Sequence, residues 1–218
     1  FAYFHPSMPT EPLIFVEIAL NLDVPTSINH VLTEKREVID AEEAKVAAFY
    51  SISNCQEGLF GISFGNLLIK QVVAELRQEL PELEKFVTLS PIPSLNKWLE
   101  SDDHISSKQV LDGKAASDDI RIIASQYLVE AKDAKGRPID PVARFHLGNG
   151  AEVYEVHADA DITNKGLQQS SGAMVNYLYN LRHIEKNHEQ FVSSGTIAQS
   201  QSVSQKAKKY QTVLQKFT

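Results

Sequence analysis

Two short segments of this chain carry side chains that could exchange a proton. Ser90 stands in the stretch Thr-Leu-Ser-Pro-Ile-Pro, where two prolines keep the backbone out of a regular helix. His146 lies between Phe145 and Leu147 and is followed by a Gly-Asn-Gly turn. A hydroxyl and an imidazole distant in sequence can meet in a folded chain and act as an acid–base pair. Taken alone, a serine in a turn and a buried histidine are more often structural, so the pair is a candidate site only.

A glycine-punctuated segment provides a third feature, suited to binding phosphate. Residues 56–66 read Gln-Glu-Gly-Leu-Phe-Gly-Ile-Ser-Phe-Gly-Asn and join a predicted strand to a predicted helix. Glycines let the backbone approach a ligand, and the free N–H groups of a helix start favour phosphate oxygens. The segment resembles the pyrophosphate loop of acetyltransferase-like (GNAT) folds, although the spacing of its glycines after Gln56 differs from the usual one. A tight strand-to-helix connection without a ligand is the alternative.

The elements around these segments predict an α/β fold. Apolar periodicity, together with the residues that interrupt it at each end, predicts strands at 12–20, 45–53, 86–89 and 152–156. The same signals predict helices at 66–80, 118–131 and 206–217. Strand, helix and strand in this order imply a crossover onto a parallel or mixed sheet, with Ser90 just past its third strand. We expect residues 166–182 to carry a helix that includes Tyr177 and Tyr179. One of these two hydroxyls could reach the site.

Composition narrows the classes of function. The chain has 218 residues, 43% of them hydrophobic, which is enough for a full core, and its net charge of −7 argues against binding to nucleic acid or an acidic membrane. A single cysteine, Cys55, excludes an internal disulfide. The longest apolar stretch, 13–20, is interrupted by Glu17 and is too short to span a bilayer. The seven histidines show no spacing typical of a zinc site.

Taken together, the motifs resemble the malonyl-CoA decarboxylase family, in its C-terminal catalytic domain. The similarity extends from residue 1 to about Tyr179. The segments that carry it are His-Pro-Ser-Met-Pro-Thr-Glu-Pro-Leu at 5–13, Phe-Tyr-Ser-Ile-Ser at 49–53, residues 56–70, Leu-Ser-Pro-Ile-Pro at 89–93 with Trp98, Pro-Val-Ala leading into Phe-His-Leu at 141–147, and residues 172–179.

The resemblance implies a fold, a reaction and a set of site residues. The fold is GNAT-like, a mixed sheet flanked by helices, and the reaction, part of fatty acid metabolism, releases carbon dioxide from malonyl-CoA to give acetyl-CoA. The catalytic roles fall on Ser90 and His146, which are also expected to bind the substrate. Apart from the resemblance, Tyr179 is a possible further site residue, because its hydroxyl could reach the pocket. The CoA-binding residues implied are Phe60, Gly61, Ile62, Ser63, Phe64, Gly65 and Asn66. No metal or organic cofactor is expected, because the thioester of the substrate is itself the electron sink.

The resemblance also bears on organisation and compartment. We expect residues 1–218 to form a single catalytic domain that lacks the family's N-terminal helical domain, in a fragment whose true N-terminus is missing. A homo-oligomer is expected for the full-length protein. The expected compartment is the cytoplasm, with the mitochondrial matrix as the alternative.

Two other classes of function stay open at this stage. A GNAT-type acyltransferase would share the fold but would need a pocket for an amine acceptor. A non-catalytic CoA-binding module would keep the fold without the reaction. A thioester hydrolase is a further variant, but no Gly-x-Ser-x-Gly elbow surrounds Ser90.

Overall fold

A mixed sheet forms the centre of the protein, and the residues that the structure describes contribute seven strands to it. The computed structural model describes residues 1–35, 38–56, 65–102 and 104–216. The strands are β1 (Ala2–His5), β2 (Met8–Asn21), β3 (Val46–Asn54), β4 (Lys85–Thr88), β5 (Ser90–Pro91), β6 (Glu152–His157) and β7 (Met174–Leu178). Their order is β1-β2-β3-β4-β7-β5, and β6 pairs with β7 as well. The pair β3–β4 is parallel, whereas β7 runs antiparallel to β4, β5 and β6.

Helices connect and cover these strands. They are α1 (Ile28–Leu32), α2 (Gly65–Glu79), α3 (Leu95–Glu100), α4 (Ile105–Leu111), α5 (Ser117–Glu130), α6 (Pro141–Gly148), α7 (Asn164–Ser170), α8 (Ile184–Ser194), α9 (Gln201–Lys208) and α10 (Tyr210–Lys216), with a short 3₁₀ turn at Ala41–Glu43. Within the part of the chain that the structure describes, none of the helices has the length and apolar character needed to cross a membrane.

The two faces of the sheet contact different helices. Val72 of α2 is fully buried in the main core together with Phe49 of β3. On the other face, Val31 of α1 packs with Leu89 and Met174. Because successive side chains of a strand point to opposite faces of the sheet, neighbouring residues of one strand can pack against the helices on both faces.

Most of the predicted elements are confirmed. The expected strands at 12–20 and 45–53 correspond to β2 and β3, and the expected helices at 66–80 and 118–131 correspond to α2 and α5. The strand–helix–strand unit formed by β3, α2 and β4 gives the expected parallel pair. The expected terminal helix at 206–217 is divided between α9 and α10.

The predicted helix at 166–182 is wrong. Helix α7 ends at Ser170, and the next residues, Ser171 and Gly172, have φ angles of 50° and 81° that stop a right-handed helix. Met174–Leu178 then forms β7, whose residues are buried on both faces between β4 and β6. A strand buried on both faces has a continuous apolar pattern that periodicity alone does not distinguish from a buried helix.

Helix α6, which the sequence interpretation did not predict, carries the candidate histidine. Asp140 is its N-cap and Pro141 its first residue, a common combination at helix starts. The helix ends in the predicted Gly-Asn-Gly turn, where Gly150 has a φ of 81°. A Cβ atom at Gly150 would overlap the carbonyl oxygen of Ile184, so this turn needs a glycine to let α8 pack closely.

Candidate active site

Ser90 lies where two parallel strands separate. Strands β3 and β4 pair up to Phe49 and Thr88, and Leu89 still donates its N–H to the carbonyl of Phe49 over 2.9 Å. Ser90, however, pairs with Val175 of β7 and begins β5, rather than standing in a free turn. The two strands therefore diverge at Ser90. A divergence of this kind is a place where a ligand can enter a sheet.

The imidazole of His146 reaches this point from α6. His146 is only 4% exposed, and Ser90 is 6% exposed. The Ser90 Oγ atom lies 3.1 Å from Nε2 of His146, so the two predicted side chains are brought together although 56 residues separate them. A hydroxyl and an imidazole at this distance can share or transfer a proton.

Two tyrosines of β7 and its continuation hold the imidazole. The hydroxyl of Tyr179 lies 2.7 Å from Nδ1 of His146. The ring of Tyr177 stacks on the imidazole, with centroids 4.5 Å apart and planes inclined by 24°. Residues two apart on an extended chain point to the same side, which is why one strand supplies both contacts. Tyr179, the further candidate of the sequence interpretation, thus contacts the histidine.

Thr88, which the sequence interpretation did not assign to the site, orients the serine. The hydroxyl of Ser90 donates to Oγ1 of Thr88 over 2.8 Å, and the backbone N–H of Tyr177 donates to the same oxygen over 3.1 Å. Thr88 is 1% exposed, so these bonds are shielded from water. The alternation Thr-Leu-Ser was the signal that could have revealed it, because residues 88 and 90 of an extended segment share a face.

Burial controls the protonation of the pair. It lowers the pKa of His146 to about 3, so the imidazole is neutral near neutral pH. Burial also raises the pKa of Tyr179 well above its usual value, and the neighbouring Asn149 side chain opposes that shift. Both the ring and the phenol are therefore uncharged, and the site can move protons without a fixed ionic group.

The neutral, buried imidazole predicts an acid-sensitive fold. The pKa of His146 is lower in the folded protein than in the unfolded chain, so between about pH 6.5 and pH 3 the unfolded state binds a proton that the folded state excludes. We expect this group to lower the free energy of unfolding by about 2 kcal/mol between pH 7 and pH 5. Urea unfolding of the protein and of His146→Gln at both pH values measures the difference. An equal loss of stability in both proteins would contradict the prediction.

Removing the hydrogen bond between the Tyr179 hydroxyl and His146 is expected to slow catalysis. In Tyr179→Phe, Nδ1 of His146 loses its partner, so the ring is no longer held in one tautomer. We expect the turnover number of a reaction carried out by the serine–histidine pair to fall about 10-fold, with KM changed by less than about twofold. Tyr210→Phe is the control, because Tyr210 is a half-buried tyrosine packed near Trp98, away from the imidazole. An unchanged kcat in Tyr179→Phe would show that the phenol does not act on the ring.

Most of the predicted CoA-binding residues lie outside the part of the chain that the structure describes. Phe60, Gly61, Ile62, Ser63 and Phe64 lie outside the described residues. Gly65 and Asn66 are the first two residues of α2. Their binding role stays a prediction.

A metal centre was not expected from the sequence. Among residues 1–35, 38–56, 65–102 and 104–216, no group of three or more histidine, cysteine, aspartate or glutamate side chains is arranged to hold a metal ion. The expectation that no metal or cofactor is needed stays a prediction.

These features define a class of protein: a mixed α/β fold with a buried serine–histidine pair where two parallel strands diverge. The family described as the malonyl-CoA decarboxylase C-terminal domain matches residues 1–118 and 102–216. The chain belongs to this family, and the predicted α/β fold, a mixed sheet flanked by helices, is confirmed.

Similar proteins are found among curated relatives and solved structures. "Malonyl-CoA decarboxylase, mitochondrial" of Anser anser anser is 34% identical over 240 residues, which cover 91% of this chain and 47% of that protein. The crystal structure of malonyl-CoA decarboxylase from Rhodopseudomonas palustris is 44% identical with a TM-score of 0.85, covering 94% of this chain and 52% of the other. The corresponding structure from Agrobacterium vitis is 42% identical with a TM-score of 0.86, covering 94% and 56%. The chain therefore spans about half the length of these relatives.

Proposed function

We propose that this protein decarboxylates malonyl-CoA to acetyl-CoA and carbon dioxide, with Ser90 and His146 at the centre of the reaction. The observation that carries the proposal is the buried contact of 3.1 Å between the serine Oγ and the histidine Nε2, in a chain of the malonyl-CoA decarboxylase family. Solved structures that are 44% and 42% identical to it bear that enzyme's name.

The first half of the reaction is loss of carbon dioxide. The bond between the methylene carbon and the carboxylate breaks, and its electron pair passes into the thioester as an enolate. A cation beside the carboxylate would stabilise the substrate more than the transition state, in which that charge is leaving. The neutral His146 avoids this penalty. An N–H or O–H donor already aimed at the thioester oxygen would instead stabilise the developing enolate.

The second half is protonation of the methylene carbon. Because the Ser90 hydroxyl donates to Thr88, its oxygen is free to accept from Nε2–H of His146, and Nδ1 is then left to accept from the Tyr179 hydroxyl. The enolate carbon is a much stronger base than an imidazole anion, so a neutral imidazole can supply the proton. As Nε2–H moves to carbon, the tyrosine proton replaces it at Nδ1, and a proton from water then restores the phenol before the next turnover. Ser90 either holds the departing carboxylate or relays the proton.

The remaining expectations complete the proposal. The CoA diphosphate binds the segment from Phe60 to Asn66, at the start of α2, and no metal or organic cofactor takes part.

We further propose that the chain acts as one catalytic domain and that the full-length protein is a homo-oligomer. The cytoplasm remains the proposed compartment. The mitochondrial matrix is the alternative, since the curated relatives of Anser anser anser and Mus musculus are named mitochondrial.

One assay tests the proposal directly. The protein is incubated with malonyl-CoA, and carbon dioxide, acetyl-CoA and free CoA are each measured. We expect carbon dioxide and acetyl-CoA in equal amounts, with no free CoA. Release of free CoA would indicate thioester hydrolysis and would contradict the proposal. Binding of malonyl-CoA without any product would favour the non-catalytic CoA-binding module.

A further inference from the structure

Both oxygens of the buried Asp140 carboxylate accept hydrogen bonds. It is 2% exposed and caps α6, since its Oδ1 accepts the N–H groups of Val142 and Ala143 over 2.9 and 3.0 Å. Its Oδ2 accepts the N–H of Ser94 over 3.3 Å. A helix cap needs only the first of these oxygens. The bond to Ser94 joins the start of α6 to a different part of the chain.

Both of the joined segments lead to the catalytic pair through short, stiff links. Ser94 follows Ser90 after the sequence Pro-Ile-Pro, whose two prolines have fixed φ angles. Asp140 is connected to His146 by the hydrogen-bonded turns of α6. A shift between Ser94 and Asp140 would therefore be passed on to the distance between the serine hydroxyl and the imidazole.

We propose that Asp140 is a positioning residue, whose carboxylate holds the segments of Ser90 and His146 together so that the two side chains stay at bonding distance. The inference rests on the proposed function of that pair. It assigns no proton transfer to Asp140, because the residue acts through the two segments.

The hydrogen-bond donors around the buried carboxyl group agree with this role. Burial raises the pKa of Asp140, while the N–H donors of Ala143, Ser94 and Val142 stabilise the ionised form. Such a buried carboxylate is stable only while its donors stay in place. Displacing one of the segments would leave charge without a partner.

The substitution Asp140→Asn separates the two roles. The amide keeps one oxygen for the helix cap, but its NH₂ group cannot accept from Ser94. We expect kcat for malonyl-CoA to fall about 10- to 100-fold, with KM changed by less than about twofold. Asp40→Asn is the control, because Asp40 is an exposed aspartate that caps the 3₁₀ turn at Ala41–Glu43 and, among the described residues, bonds to no second segment. Asp140→Ser, which keeps a capping oxygen, is the second variant if the amide does not fold.

A double-mutant cycle distinguishes positioning from a general loss of structure. In a Ser90→Ala background there is no pair left to position, so Asp140→Asn should lower kcat by less than about twofold. The same 10- to 100-fold loss in both backgrounds, or an unchanged kcat in Asp140→Asn alone, would overturn the proposal.

A measurement without substrate keeps this test independent of the proposed reaction. The ¹⁵N spectrum of the histidine rings, with His146 assigned by comparison with His146→Gln, reports the tautomer of that ring. We expect one tautomer in the parent protein and averaged signals in Asp140→Asn. Identical His146 signals in the two proteins would overturn the inference, whereas a parent protein without decarboxylase activity would refute only the proposed function.

Discussion

Replacing His146 by glutamine is expected to lower kcat of the proposed malonyl-CoA decarboxylation about 1000-fold, within the range typical of a lost acid–base group. Glutamine keeps a polar side chain in the buried space but cannot pass a proton between Tyr179 and the substrate carbon. KM should change little, because the CoA moiety is proposed to bind elsewhere. Initial rates of acetyl-CoA formation over a range of substrate concentrations separate kcat from KM.

The control for this substitution is His104→Gln. His104 is partly buried and bonds to Ser106 at the start of α4, so it tests the loss of an ordinary structural histidine. Its kcat should stay within about twofold of the parent value. Undiminished turnover in His146→Gln would remove the imidazole from the proposed mechanism.

Replacing Ser90 by alanine is expected to lower kcat about 100-fold. The change removes one oxygen, so Nε2 of His146 loses its serine partner and Oγ1 of Thr88 keeps only the N–H of Tyr177. The backbone of β5 should stay in place, since its pairing with β7 does not involve the side chain. Single-turnover measurements with bound malonyl-CoA report the chemical step without product release.

Ser125→Ala is the matched control for the serine substitution. Ser125 is fully buried in α5, and its hydroxyl donates to the carbonyl of Arg121 over 2.7 Å. Both variants therefore lose one buried serine hydroxyl and its hydrogen bond. If the two lowered kcat to the same extent, the effect of Ser90→Ala would be one of stability rather than of catalysis.

Local sequence patterns predicted the elements whose apolar residues repeat along one face or form a compact run. Helix α2 shows the four-residue apolar spacing, and β3 is a compact apolar run next to the glycine segment. Helix α6 could also have been predicted, because Asp140 followed by Pro141 is a start signal for a helix. Strand β7 could not be distinguished from a helix, since its identity depends on neighbours that come from distant parts of the chain.

The candidate site was predicted in composition and only in part in arrangement. The resemblance to the family, rather than the residue types alone, selected Ser90 and His146 as candidates. Thr88 and Asp140 were missed as site residues, because their importance lies in bonds to the backbone of other segments. The bond between Ser94 and Asp140 has no signature in the spacing of residue types, whereas the alternation Thr-Leu-Ser could have revealed Thr88.

By itself, the sequence determined the chemical groups available and most of the elements that carry them, because side-chain periodicity and capping act over a few residues. Only the tertiary structure decided that Ser90 begins a strand paired with β7, that Tyr179 reaches Nδ1, and that His146 lies 3.1 Å from the serine. That distance depends on the register of β7 and on the packing of α6, both of which join residues far apart in the chain. Burial at this junction, which makes the imidazole neutral, is likewise a property of the folded protein.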